Sequence, residues 1–379
     1  MKIRKFLPVL IFFPSVLAAV AQDVRPAQPV PVEAAQPVEA TPTPTPEPTP
    51  EPTPVPTPPP LRDMVDGLSE SQTEQAISAL RSDFLDPSDT EDKSIRRATL
   101  EGLVRRLSPG AFITTEEAAA RTAEPGEFLA EILDARIGYV RLGGLDSESL
   151  AQMDSAIENF ATNNLNALIL DLRDTPPSQD FDVAADFARR FSPKGKLLFS
   201  IQKPSVKQER ILTANQDPTF DGVLVVLTDR NTAGAAEALA ATLRLNAKAM
   251  VIGDVTSGEA VEFEDVPLGD GKILRVAVAQ VVLPEVGPIF PAGLQPDILA
   301  ALTPERQAEI FRLSREQGVS QFVFENERPH LNEAALVANT NPEIDPALAN
   351  RKHQENWDSV LQRAVDLVTA ISFYSGRQQ

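Results

Sequence analysis

The residues able to do chemistry are few in kind. The 379-residue chain contains no cysteine and only two histidines, His330 and His353. That composition removes disulfides, thiolate zinc sites and cysteine nucleophiles, and leaves nothing from which to build a His-rich metal centre. Hydroxyl, amine and carboxylate chemistry remain. Ser257 and Thr232, with Ser178 earlier in the chain, are candidate nucleophiles, and Lys248 and Lys272 are candidate bases. Glu259 paired with Glu237 or Glu262 offers acid–base work instead. Spacing alone brings none of these pairs within hydrogen-bond reach. Hydroxyls in turns commonly bond the local backbone, and the simpler reading of the acids is as surface or helix-capping groups. Both histidines sit in polar, loop-like surroundings without metal-ligand spacing. No glycine-rich phosphate loop is present, and Gly269-Asp270-Gly271 reads as a turn between strands. Neither a metal nor a cofactor is expected.

Charge narrows the partners. Against 54 acidic residues stand 35 basic ones, a formal net charge of −19, which is the wrong sign for neutralising phosphates, so no nucleic-acid partner is expected. The length allows two or three domains of ordinary size.

Of the 34 prolines, 15 fall between Pro26 and Pro60, and this divides the chain into an address, a tether and a folded part. The first 21 residues have a basic start (Lys2, Arg4, Lys5), an apolar run from Phe6 to Leu17 and the small-residue pattern Ala19-Val20-Ala21. This is the form of a secretory signal peptide cleaved near Ala21. The apolar run is too short to cross ~30 Å of hydrocarbon and contains Pro8 and Pro14, so no transmembrane anchor is expected in the mature chain, which is read as secreted or periplasmic. Residues 22–60, with TPTPTPEPTPEPTPVPTPPP from Thr41, lack the donors for helix or sheet and read as an extended linker. The linker serves as a solvated spacer, a tether or a ligand for a proline-binding partner.

In the folded part, Ser69 and Gln72 make a capping box, and Ile77, Leu80 and Phe84 recur at helical spacing. Ile95, Leu103, Val104 and Leu107 suggest a second helix, ended by Ser108-Pro109-Gly110. These predict a small helical domain. Short apolar strands at 137–142, 167–172, 223–227 and 250–252 then alternate with helices at 150–160, 181–191 and 235–245. Further extended segments are expected at 196–201 and 273–283. Strands apolar on both faces imply an α/β core with a largely parallel inner sheet. Beyond Ala301 the chain turns helical, and Trp357, Val360, Leu361, Ala364, Val365, Val368 and Ile371 form one apolar face, with Trp357 as a packing anchor.

Seven ordered blocks give this region its resemblance to a known family: IGYVRLGGL at Ile137, LNALILDLRD at Leu165, FARRFSPKGKLLFSI at Phe187, GVLVVLTDRNTAGAAEALAATL at Gly222, AMVIGDVTSGEA at Ala249, ILRVAVAQVVLP at Ile273 and FPAGLQPDI at Phe290. They resemble the C-terminal processing peptidases, tail-specific serine proteases with a crotonase-like α/β core, over roughly 61–300. The resemblance implies a serine nucleophile at a helix N-terminus and a lysine base some twenty-five residues later. It also implies an extended peptide or a protein C-terminus as the partner.

Position by position, the match breaks where that chemistry would sit. The family's Ser-Ala-Ser-Ala-Ser-Glu corresponds to Thr232-Ala233-Gly234-Ala235-Ala236-Glu237, which places Gly234 at the nucleophile. Glu259 falls at the base, and Phe263 at a glutamine usually found four residues further on. The oxyanion loop, normally ending Asn-Asn-Pro-Gly-Gly, is Asp174-Thr175-Pro176-Pro177-Ser178, and Pro177 has no N–H to donate. Loss of the nucleophile alone costs on the order of 10⁶ in rate. About sixteen residues separate Ala120 from Ile137, against a lower limit of roughly 50 for a domain, so the family's inserted PDZ domain has no room.

The sequence therefore predicts a signal peptide at 1–21, a proline-rich linker at 22–60 and an N-terminal helical domain at 61–125. A tail-specific-protease-like α/β core follows at 126–300, with a mostly helical C-terminal extension at 301–379. The expected function is a proteolytically inactive homologue acting as a peptide-binding or scaffold module. The alternatives are an active serine-type endopeptidase using non-family residues, and a structural envelope protein with an envelope partner.

Overall fold

A computed structural model of the chain describes residues 60–86, 90–120, 126–323 and 357–376. The expected signal sequence, nearly all of the linker and both histidines lie outside them. The chain divides into two compact units, Met1–Glu74 and Gln75–Gln379.

Helices α1 (Leu61–Asp66) and α2 (Glu70–Asp83) begin the described chain. The capping box forms as its spacing predicts: the Ser69 N–H donates to Gln72 Oε1 at 2.9 Å, and the Gln72 N–H donates to Ser69 Oγ at 3.3 Å. Helix α3 (Asp92–Leu107) follows. None of these helices buries a residue, and Ile77, Leu80, Phe84, Leu103 and Leu107 are all exposed. In the helical domain expected at 61–125, Ile95 and Val104 are half-buried and the other apolar positions of the helical rows are exposed. That stretch also contains a strand, β1 (Ala111–Thr115), whose β-branched and aromatic AFITT pairs into a sheet. A short helix α4 (Glu116–Ala120) succeeds it.

The remaining elements run β2 (Leu129–Leu133), β3 (Ile137–Arg141), α5 (Ser147–Thr162), β4 (Ala167–Asp171), α6 (Phe181–Arg189), β5 (Leu197–Lys203), β6 (Gln208–Thr213), β7 (Val223–Thr228), α7 (Ala235–Asn246) and β8 (Met250–Gly253). Then come β9 (Val261–Gly269), β10 (Lys272–Leu283), β11 (Gly287–Pro288), β12 (Ile298–Leu299), α8 (Pro304–Gln317) and α9 (Ser359–Gly376). One sheet has the order β12-β8-β7-β4-β3-β2 and is parallel except at β2–β3. This is the predicted inner sheet, and its buried strands read as unbroken apolar runs. A second, antiparallel sheet, β1-β10-β5-β6 with β9 and β11 also on β10, takes up the extended segments expected at 196–201 and 273–283. Its exposed strands carry charges that disguise them.

Two apolar layers clamp the parallel sheet. On one face, α5, α6 and α7 pack with Leu168, Leu170 and Val226 and with the inner side of the second sheet. On the other, Ile169, Val225, Leu227 and Ile252 meet Val360, Leu361, Ala364, Val365 and Val368. The predicted C-terminal apolar face is real. It is a covering layer of the sheet.

Candidate functional site

The loops leaving the carboxyl ends of β4, β7 and β8 converge, as loops at that end of a parallel sheet do. They bring together Ser178, Thr232, Gly234, Glu237, Ser257 and Glu259.

Between β7 and α7 the chain makes a tight turn bracketed by Asp229. One oxygen of that carboxylate accepts from the Asn231 N–H at 3.0 Å, the Thr232 N–H at 2.8 Å and the Thr232 hydroxyl at 2.9 Å. The other accepts from Gln307 Nε2 at 2.6 Å. Thr232 is buried, and its hydroxyl also accepts from the Asp229 N–H at 3.0 Å. It is a turn-forming residue with both capacities used. Burial pushes the Asp229 carboxyl up, against the opposing bonds from Gln307 and Thr232.

The turn ends at Gly234, with φ +59° and ψ −120°, a positive-φ conformation at a strand-to-helix junction of the kind that presents a nucleophile elsewhere. Here it presents nothing. A Cβ on Gly234 would fall far inside van der Waals contact with the Ser178 carbonyl oxygen. That same oxygen accepts the Ala235 N–H at 2.8 Å, and Ser178 and Gly234 form a parallel bridge. The first donor of α7, where positive helix potential would favour an oxyanion, is capped by the chain itself.

Glu237 follows in the first turn of α7, wholly buried. Its carboxylate accepts from the Thr256 hydroxyl, from the Gly258 N–H at 2.8 Å and from the Glu259 N–H at 2.9 Å. It therefore holds the 256–259 loop in place. Burial raises its pKa, the three bonds oppose, and repulsion from Glu259 adds to the rise. Gly258 is required in that loop: its φ is +74°, and a side chain there would strike the Pro291 carbonyl oxygen. Thr256 Oγ1 accepts the Leu294 N–H at 2.7 Å, fastening the far side.

Glu259 is partly buried, and burial raises its carboxyl. Among the described residues no cation pairs with it. Glu262 instead faces Arg210 at 3.2 Å on the surface. The acid–base pairing of Glu259 with Glu237 or Glu262 is thus not assembled, since Glu237 is occupied as a loop anchor. The reading of Glu237 as a surface or capping acid is corrected by its complete burial. Ser257 donates its N–H to the Thr232 carbonyl at 3.0 Å, and its buried hydroxyl has no partner among the described residues. Ser178 Oγ accepts the Asp180 N–H at 3.0 Å, a local turn bond.

Neither candidate lysine reaches these hydroxyls. Lys248 precedes β8 and lines a cavity with Asn166 and Asp221 at the opposite end of the parallel strands. Lys272 begins β10 at the β9–β10 hairpin, eight residues or roughly 27 Å of strand from Gln280, the strand partner of Val261 beside Glu259. Among the described residues no cluster of acidic or histidine side chains is arranged to hold a metal ion.

Sequence reasoning missed Gln179 and a buried network around Arg173. Gln179, beside Ser178, accepts the Phe263 N–H on its Oε1 at 2.7 Å. Arg173 is buried and bridges two acids, with Nη2 at 2.7 Å from Asp171 and 2.8 Å from Asp358, while Tyr139 Oη donates to Asp171 at 2.8 Å. Burial opposes the Asp171 charge, yet Arg173 holds its carboxyl below the ordinary value. Asp358 immediately precedes α9, so the C-terminal layer is tied to the strand end from which the 174–179 loop departs. The Asp171-Leu172-Arg173 spacing was the available signal for the first pair, and nothing local announced Asp358. A cavity of about 320 Å³ lies beside this network, lined by Arg173, Asp229, Arg230, Asp254 and Gln307 but not by Gly234, Ser257 or Glu259.

The class of protein follows from residues 136–300, which match the model of peptidase family S41. The relatives the chain is similar to are named carboxyl-terminal-processing protease or C-terminal processing peptidase. The carboxyl-terminal-processing protease of Synechocystis sp. is 27% identical over 229 residues, covering 56% of this chain and 52% of that protein. The chloroplastic C-terminal processing peptidase of Tetradesmus obliquus is 27% identical over 237 residues, covering 62% and 47%. The solved structure described as photosystem II D1 C-terminal processing protease is 26% identical, covers 52% of this chain and 49% of its own, and superposes with a TM-score of 0.38. The chain spans about half the length of the curated relatives it matches. The family match begins at residue 136, well after the Leu61 start read from the sequence.

Proposed function

We propose that this chain is a non-cleaving member of the C-terminal processing peptidase family, with a crotonase-like core, that binds peptide or serves as a scaffold in the cell envelope. The observation that carries this reading is the Ser178 carbonyl oxygen. It occupies the space a side chain at position 234 would need and takes the Ala235 N–H that would otherwise face a substrate oxygen. Three features support it. Glu259 puts a carboxylate where the resemblance implies a neutral amine, Pro177 supplies no N–H, and both lysines lie away from the hydroxyls. Export through a signal peptide at 1–21, a tether at 22–60 and the lack of a PDZ insertion belong to the same proposal. Among the described residues no helix is long and apolar enough to cross a membrane.

One observation favours a second reading, in which the chain is an active endopeptidase: beside the turn the Ser257 hydroxyl is buried and has no partner among the described residues. Incubation of the purified protein with a mixed peptide library, read by mass spectrometry, separates the two. Non-cleavage leaves the library intact. Products that vanish in Ser257→Ala would establish the second reading.

A further inference from the structure

The strand next to the closed turn has a free edge. β9 pairs with β10 on one side, and among the described residues no strand pairs with its other side. Such an edge presents backbone donors and acceptors to any extended chain that comes alongside. Its first outward donor is the Phe263 N–H, and the group that satisfies it is the Gln179 carboxamide oxygen at 2.7 Å. A primary amide is the side-chain analogue of a peptide group, and Gln179 is exposed, so a backbone carbonyl can replace it without unmaking a core. Outward backbone groups recur every second residue, which makes Asp265 the next. After that comes Pro267, which has no N–H and ends the run.

We propose that the outer edge of β9 over Glu262–Asp265 is a docking site for a short extended peptide, added as a further strand, and that Gln179 holds the place of its first peptide group. The inference rests on the non-cleaving reading above. It commits to a peptide of neutral or basic sequence: Glu262, Glu264 and Asp265 are paired with Arg210, Lys203 and Arg275, whereas Glu259 at the start of the stretch has no cationic partner among the described residues. The chain as a whole carries −19, so an acidic peptide would be repelled.

The probe is a fluorescent, N-acetylated and C-amidated hexapeptide of alternating threonine and valine with a lysine at each end. It is titrated into the full chain alongside two versions N-methylated on alternate residues, one set in each. Strand addition uses the N–H groups of one set only. One methylated version is therefore expected to bind like the parent and the other about tenfold more weakly. Gln179→Ala, which removes the competing amide at a surface position, is expected to tighten the parent peptide several-fold. Equal binding of all three peptides, absence of binding, or unchanged affinity in Gln179→Ala would overturn the proposal. Mass spectrometry on the same mixtures keeps the two ideas apart. A cleaved peptide contradicts the non-cleaving reading, whereas an intact peptide bound without edge dependence contradicts the docking site alone.

Discussion

Gly234 shows how one position can hold a backbone shape while giving up its side chain. Its φ of +59° and the Ser178 carbonyl oxygen beside it leave room for hydrogen alone. Gly234→Ala is expected to destabilise the protein by about 3 kcal/mol, combining positive-φ strain with the clash, as a lowered midpoint in urea unfolding. Gly234→Ser with Glu259→Lys restores both family residue types, yet no peptide hydrolysis is expected, because the serine must first displace Ser178. The buried acids give a pH dependence whose sign is fixed. Glu237, Glu259 and Asp229 have pKa values raised above their unfolded ones. The stability they contribute is full below the ordinary carboxylate range and is lost as pH rises through the folded values. Asp171, held low, does the opposite and loses its contribution only as pH falls below its ordinary 3.8. Stability should therefore rise as pH drops from neutral towards the ordinary carboxylate range. Glu259→Gln should flatten that rise, and thermal unfolding across a pH series measures both.

At the scale of elements, the Asp171–Arg173–Asp358 bridge couples the end of β4 to the start of α9. All three side chains are essentially inaccessible, so removing one acid leaves a buried guanidinium half-compensated. Asp358→Ala is expected to cost about 3 kcal/mol and to raise hydrogen exchange along α9 before the rest of the core. The elements also divide by how plainly the sequence announces them. VLVVL at β7 and ALILD at β4 are buried on both faces and read directly as strands. Strand β9, VEFEDVPLG, and strand β6, QERILT, carry charge and, in β9, a proline. They are strands because β10 and β5 supply their hydrogen bonds, which no local pattern records. The site divides in the same way. Motif spacing locates Gly234, Glu259 and Pro177, and the loops do converge there. The contact that closes the turn is made by the main-chain oxygen of Ser178, and a carbonyl leaves no signature in residue type. The burial of Glu237 follows from three donors gathered from a loop nineteen to twenty-two residues away.

For the molecule as a whole, the C-terminal layer is part of the fold. Ending the chain before Trp357 would uncover Ile169, Val225, Leu227 and Ile252 on the parallel sheet and remove Asp358 from Arg173. Such a truncation is expected to aggregate or to lose cooperative unfolding, which circular dichroism with calorimetry would register. The same organisation ties together everything around the closed turn. The helix start is capped from the 174–179 loop, the 256–259 loop is held by Glu237, and Gln307 of α8 braces Asp229. The most direct test is exhaustive incubation of the purified full chain with a broad peptide library, with Ser257→Ala and Thr232→Val as controls. The account predicts no products beyond those of the two variants. Turnover by the native chain that either substitution abolishes would contradict it.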